Sequence, residues 1–221
     1  MIAQQDSPPA GDTRERIVRT AFQLFHEQGY HATGVSTIVR EAGINPGSLY
    51  HFFESKDALL LGVLDFALGY LGPAVMDPVE ACALDPIERV FTLLHQYRAR
   101  MARESCRLGC PIGNLALEVS DNNAEARRLL HENFEQWIGR VERWLEAARD
   151  RLPEETDRRR LARFVLTVME GGLMQSRAAG HLGPFDDAVT VLRDYFERLA
   201  PREVDQRRRR LGRRENRKGA T

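Results

Sequence analysis

The chain is poor in cysteine, with three in 221 residues (Cys82, Cys106 and Cys110). So small and odd a number excludes a disulfide framework and points to a reducing compartment, the cytoplasm. No run of about 18 uninterrupted apolar residues occurs, so no membrane-spanning helix and no membrane partner are expected. The opening MIAQQDSPPAGD has no basic start followed by an apolar core, and no signal peptide is expected. Histidine is scattered (His26, His31, His51, His95, His131, His181), with no CxxC or HxxxH spacing, so no metal site is expected. The chain also lacks GxGxxG, GxxxxGK[ST] and GxSxG, which argues against a nucleotide loop or a serine hydrolase. No cofactor is expected, and the chain does not read as an enzyme. Sustained apolar–polar alternation is missing as well, so essentially no strand is expected.

What remains is a helical pattern in a chain with 43% hydrophobic and 29% charged residues, the balance of a globular protein. The fold class is all-α with about nine helices. The zero net charge is unevenly spread. Residues 202–221 carry nine Lys/Arg against three Asp/Glu, so the rest of the chain is net negative. Such a tail is either a nucleic-acid contact or a solvated, disordered end. Four regions follow: a disordered start (1–11), a small helical domain (12–60), a larger helical domain (61–200) and the basic tail (201–221).

The first helix is expected over 13–28, opened by a capping box of Asp12 and Glu15 and closed by Gly29. Ile17, Ala21, Leu24 and Phe25 form its apolar stripe. A short helix follows at 35–42. Gly43 ends it, and Asn45-Pro46 opens another, with Asn45 as cap and Pro46 at the first position. Leu49 and Phe52 point inward, leaving Gly47, Ser48, Tyr50 and His51 on the free face. Ser55 caps a fourth helix over 56–70, shared between the two domains. Longer helices are expected at 86–103, 111–120, 122–151, 156–180 and 185–199, punctuated by Pro73, Pro78, Pro86, Pro111, Pro153 and Pro184.

Two short helices joined by a tight glycine turn, here residues 35–54, suit a helix presented to the DNA major groove. Gly47 allows close backbone approach. Ser48, Tyr50 and His51 offer contacts to bases or phosphates. Lys56 lies in the first turn of the next helix, where the dipole also favours a phosphate. The alternative is a plain hairpin within a helical bundle. The run Thr33 to Leu59, TGVSTIVREAGINPGSLYHFFESKDAL, with Ile17, Ala21, Phe25, Gly29 and Tyr30 before it, resembles the DNA-binding domain of the TetR family of regulators. The resemblance implies DNA contacts from Ser48, Tyr50, His51 and Lys56, supported by Thr33, Ser36 and Thr37; Asn45 and Gly47, read from the capping and the close approach, complete the candidate DNA-binding set. Gly34, Arg40 and Glu41 depart from the usual pattern. The small domain is nearly charge-balanced, so modest non-specific DNA affinity is expected.

The same resemblance implies a C-terminal domain that dimerises and encloses an inducer. Two late helices are more apolar than a single stripe requires. Phe164, Val168, Gly171 and Gly172 on one, with Val191 and Tyr195 on the other, are the candidate dimer residues, the alternative being an internal core. Cys110-Pro-Ile-Gly-Asn114-Leu-Ala, preceded by Gly109 and completed by Glu118, resembles a GCxxGNLAxE segment of one TetR subgroup, where it opens a helix beside the ligand cavity. Candidate cavity residues are Phe91, His95, Met101, Cys106, Cys110, Asn114, Phe134, Trp137, Met169 and Gln175, with core packing as the alternative for each. Cys110 at a helix N-terminus is expected to have a lowered thiol pKa, and Cys106 or Cys110 to react with an electrophile, unless they are buried and inert. The sequence thus reads as a dimeric, ligand-released repressor of a palindromic operator. An activator, a ligand-independent DNA-binding protein, or a helical enzyme or binding module are the alternatives.

Overall fold

The computed structural model describes residues 10–199, and the basic tail and nearly all of the expected disordered start lie outside them. Ten α-helices and no strand occur among the described residues. Helix α1 (Ala10–Gln28) begins earlier than its capping signal. Asp12 therefore lies inside the helix, and Ala10 and Gly11 belong to α1 rather than to the start. Helices α2 (Val35–Glu41) and α3 (Pro46–Phe52) form the short pair. Gly43, at φ +61°, makes the turn between them, and Ile44 N donates to Val39 O at 3.2 Å.

Helix α4 (Lys56–Leu71) is capped by Ser55, whose Oγ accepts from Ala58 N at 3.0 Å. Pro73 and Pro78 do not stop it. A π-helical turn at Gly72–Met76 leads directly into α5 (Asp77–Cys82). The wider turn accommodates a proline ring and its missing N–H, which an α-helix interior cannot. The resulting helical run, Lys56–Cys82, is long and apolar enough to cross a membrane by length and composition. In this fold Leu59, Leu60, Val63, Leu64 and Ala67 are instead buried, and α4 packs on α1 and α8.

The remaining helices are α6 (Pro86–Arg103), α7 (Pro111–Val119), α8 (Ala124–Ala147), α9 (Arg158–Ala179) and α10 (Gly183–Leu199). Helix α8 is shorter than the expected 122–151 and gives way to a 3₁₀ turn at Arg149–Arg151. Polar clamps fix the long elements. Arg140 on α8 grips Glu80 on α5 with two bonds of 2.6 and 2.8 Å, and Trp144 Nε1 donates to the same carboxylate at 2.7 Å. Buried Asn133 Nδ2 donates to Leu64 O on α4 at 3.2 Å. Small domain and large share one continuous core rather than two separate ones.

Helices α9 and α10 meet where Gly172 faces Phe185. A Cβ at position 172 would lie 3.0 Å from Phe185 Cδ2 and 3.3 Å from its Cα. Gly172 is therefore buried inside the chain and is not at the surface that the sequence assigned to it. Replacing Gly172 with leucine should push the two helices apart and lower stability by about 1–3 kcal/mol in urea unfolding. An unchanged unfolding midpoint would show that Gly172 has no packing role.

Candidate nucleic-acid interface and ligand cavity

The exposed side of α3 follows from its cap and its core contacts. Asn45 Oδ1 accepts from Ser48 N at 2.8 Å and from Ser48 Oγ at 3.1 Å, which fixes the first turn. Leu49 is fully buried and Phe53 nearly so, while Phe52 is only half-buried. That leaves Gly47, Tyr50 (54% exposed) and His51 outward, with Ser48 half-buried. The His51 ring stands edge-on to Phe52 with centroids 5.0 Å apart. Ser36 is exposed and Thr37 half-buried at the start of α2. Lys56 Nζ sits 4.3 Å from the Tyr30 ring centroid, a cation–π contact that holds the ammonium at the head of α4. Burial lowers the Lys56 pKa from its ordinary value. Tyr30 donates its hydroxyl to Asp57, so the helix start is tied to the end of α1.

Thr33 does not belong to this surface. It is fully buried, and its hydroxyl donates to Gly29 O at 2.7 Å and Leu24 O at 3.3 Å. Its role is to close the connection between α1 and α2.

A cavity of about 650 Å³ lies between α7, α8 and α9. Of the residues expected there, Cys110, Asn114 and Phe134 do line it, joined by Gly171 from the expected dimer set. The others lie elsewhere, for identifiable reasons. Phe91 is in the core against Phe196, with the Arg193 guanidinium 3.8 Å from its centroid. Met101, Cys106 and Met169 are buried in the core, while His95 and Gln175 are exposed. Trp137 packs on Tyr97 and borders a separate hollow near Pro73.

Glu170 dominates the cavity wall and had not been singled out in the sequence. A lone acid in the apolar run Val168-Met-Glu-Gly-Gly-Leu-Met174 was the available signal. Its carboxyl lies over Gly113, where any Cβ would overlap Oε2, and Oε1 is buried with no hydrogen-bond partner. Desolvation raises its pKa from 4.5 to about 7, partly offset by a hydrogen bond from the Cys110 thiol. Burial and the nearby Glu170 likewise push the Cys110 thiol well above its usual range. This reverses the expectation of a helix-activated nucleophile. Desolvation outweighs the amides of Ile112 and Gly113, and the thiol stays protonated at neutral pH.

The cavity and the α1 end of the small domain meet at α7. Glu118 Oε2 accepts from His31 N at 3.1 Å, and the His31 ring Nε2 donates to Glu118 O at 3.1 Å. Gly29, at φ +87°, faces the same carboxylate, and a Cβ there would lie 2.9 Å from Oε1. Buried His26 donates from Nε2 to Gly109 O at 2.8 Å and accepts from Arg100 at Nδ1 at 3.3 Å. Burial lowers its pKa, so the ring is neutral, as these partners require.

A short two-helix unit fused through a shared helix to a cavity-bearing helical body is the architecture of a helix-turn-helix transcriptional regulator. Comparison with known proteins agrees. Residues 17–63 match the family of bacterial regulatory proteins of the tetR family. Residues 86–191 match the C-terminal domain of LmrA/YxaF-like transcriptional regulators. The chain is 30% identical over 189 residues to the HTH-type transcriptional regulator LmrA of Bacillus subtilis, spanning 85% of this chain and 98% of that protein. It is 28% identical to the HTH-type transcriptional repressor DhaR of a Mycobacterium species, over 85% of this chain and 92% of DhaR. A TetR transcriptional regulator of solved structure from Chloroflexus aurantiacus superposes with a TM-score of 0.72 at 28% identity, covering 88% and 98% of the two chains. The chain belongs to the TetR family and is a DNA-binding transcriptional regulator.

Two outcomes test this geometry. Because the folded Glu170 pKa lies above its unfolded value, stability should fall as pH rises from about 4.5 to about 7. Above that window the full cost, about 3 kcal/mol, is present. Glu170→Gln should therefore stabilise the protein at pH 8 and lose that advantage near pH 4.5. An advantage that does not vary with pH would mean that the carboxyl is not desolvated. Thr33→Val should cost about 1 kcal/mol in thermal unfolding yet leave the DNA affinity of the folded protein unchanged. A selective loss of DNA affinity would restore Thr33 to the interface.

Proposed function

We propose that this regulator is a repressor that binds a palindromic operator as a homodimer and is released by a small molecule held in the α7–α9 cavity. The observation that carries the reading is the single short helix α7, which forms one wall of that cavity and also bonds the end of α1. Its segment Gly109 to Glu118, with the GCxxGNLAxE pattern, holds all three features together: Cys110 and Asn114 at the cavity, Gly109 against His26, and Glu118 against His31.

DNA contact is assigned to Gly47, Ser48, Tyr50, His51 and Lys56, with Asn45, Ser36 and Thr37 positioning the two short helices. Dimerisation is assigned to an apolar face on α9 and α10. Phe164 (46% exposed), Val191 (68%) and Tyr195 (44%) stand out from it, with Phe164 edge-on to Tyr195 at 5.9 Å and Val168 half-buried beside them. Exposed aromatic and branched side chains on neighbouring helices favour burial against a second copy. Two recognition helices about one helical turn apart then read a two-fold site. Repression is favoured over activation because DhaR, similar along nearly its whole length, is named a repressor. The site of action is the compartment that holds the chromosome, the cytoplasm in a bacterium.

Release is a population shift in which the ligand prefers the DNA-incompetent state. Helix α4, shared between the two domains, is one lever. The hydrogen bonds between α7 and α1 offer a shorter route from cavity to reading head. Non-covalent occupancy fits the cavity better than attack by a thiol that burial keeps protonated.

The test begins with an operator selected from random DNA and measured by fluorescence anisotropy. Tyr50→Ala and Lys56→Ala should each weaken binding by roughly tenfold, and Lys56→Ala should reduce the salt slope by about one. Unchanged affinity in both variants would overturn the interface. Sedimentation should give a dimer, and a monomer at micromolar concentration would overturn the two-fold reading. Transcription in vitro from a promoter overlapping the operator should fall, whereas a rise would make the protein an activator. Glu118→Ala should lower operator affinity several-fold without unfolding the protein. No change would remove α7 from the route.

A further inference from the structure

The cavity wall holds one unmet polar demand. Glu170 Oε1 is buried and has no partner. None of the ion pairs among the described residues includes Glu170. Two of the other polar side chains of the wall are already engaged. Glu135 is bonded by Arg159 and by Arg163, the latter at 2.8 Å. Thr167 Oγ1 donates to Arg163 O at 2.9 Å. Arg177 lies two turns along α9 from Glu170 and is exposed. Gly113 keeps the space over the carboxyl clear, since any side chain there would overlap it. Asn114, half-buried, and His131, exposed, also stand on the wall, and most of the remainder is apolar: Phe134, Ile138, Leu166, Leu173 and Met174. A buried acceptor oxygen without a partner costs free energy until a donor meets it.

We propose that the cavity takes a largely apolar, drug-sized molecule carrying a hydrogen-bond donor, O–H or N–H, which pairs with the carboxyl of Glu170 on the cavity wall. This rests on the ligand-released reading above and adds the chemistry of the ligand. The volume, about 650 Å³, lies within the range of small-molecule sites. The apolar side chains supply affinity and the Glu170 carboxyl, whose Oε1 is the buried acceptor without a partner, supplies selection. An apolar molecule of the same shape without a donor leaves Oε1 unsatisfied and is rejected for that reason. Neutral hydroxyls and ammonium groups share the donor chemistry, and the ionisable carboxyl distinguishes them. An ammonium binds the carboxylate and becomes weaker below pH 7, whereas a hydroxyl also tolerates the protonated acid as its neighbour.

Calorimetric titration of the full-length protein with three naphthalene probes tests this: 2-naphthol, 2-naphthylmethylamine as its ammonium, and 2-methoxynaphthalene, which has no donor. At pH 8 the naphthol, the ammonium or both should bind roughly tenfold or more tightly than the methoxy compound. Whichever shows the margin fixes the charge of the ligand class. Glu170→Met should abolish the margin while keeping affinity for the methoxy compound. Glu170→Gln, which keeps an acceptor oxygen without the charge, should retain a naphthol margin and lose that of the ammonium, and it serves if the Met variant misfolds. Equal affinity for all three probes in the wild type, or a margin that survives Glu170→Met, overturns the proposal and leaves the ligand-released reading standing. Failure of all three to bind overturns both.

Discussion

Glu118 reaches from α7 to the turn that ends α1 and so ties the cavity wall directly to the small domain, beside the core the two halves share. The carboxylate occupies the space beside Gly29, where any side chain would collide with it, and its oxygen takes the amide of His31. Glycine is required there twice, once for the positive φ and once for the carboxylate. A turn earlier, His26 donates to Gly109 at the other end of the same segment. The small domain is thus pinned to both ends of one short helix. Any displacement of α7 must either carry α1 with it or break these bonds.

The same segment also creates the chemistry of the cavity. Gly109 leaves room for the Asn114 amide and Gly113 for the Glu170 carboxyl, and both side chains line the cavity. Cys110 begins α7, where the helix amides favour a thiolate. It also lies against a carboxyl and out of water, and these two effects favour the thiol. Dehydration exceeds what two amides can return, so the thiol and the acid both hold their protons better than in water. The residue contributes shape and a weak donor rather than reactivity.

The sequence carried most of the helical architecture because the signals for it are local. Asn45, Ser55 and the pair Asp157–Gly180 each mark a helix end by a hydrogen bond or a positive φ within a few residues. Local signals misled where a neighbour could absorb the fault. Pro73 should have ended α4, but a π turn accommodates it. Asp12 has the spacing of a cap, yet α1 continues before it. Site residues divided along the same line. The outward face of α3 follows from a three-residue spacing, whereas membership of a cavity depends on which helices cross at a given depth. Phe91, Met101 and Met169 have cavity-like chemistry but lie in planes filled by other side chains. Thr33 has DNA-like chemistry but its hydroxyl is taken by Gly29 and Leu24. Glu170 went unnoticed because an acid in an apolar helix becomes meaningful only once its lack of a partner is seen.

These contacts bound how strongly cavity and reading head can be coupled. Along the α7–α1 route the polar seam is a few hydrogen bonds, each worth about 1 kcal/mol net, and not all of them need break together. The coupling free energy then lies at about 1–3 kcal/mol per chain, which corresponds to roughly 5–150-fold in affinity. A single chain with that coupling is a graded switch. In the proposed dimer two chains would share one operator, and both recognition helices would have to be correctly placed for tight binding. The two couplings would then act on the same equilibrium, and a modest seam in each protomer would become a sharp response of the pair. The apolar face on α9 and α10 would therefore set the steepness of the response as well as the two-fold symmetry.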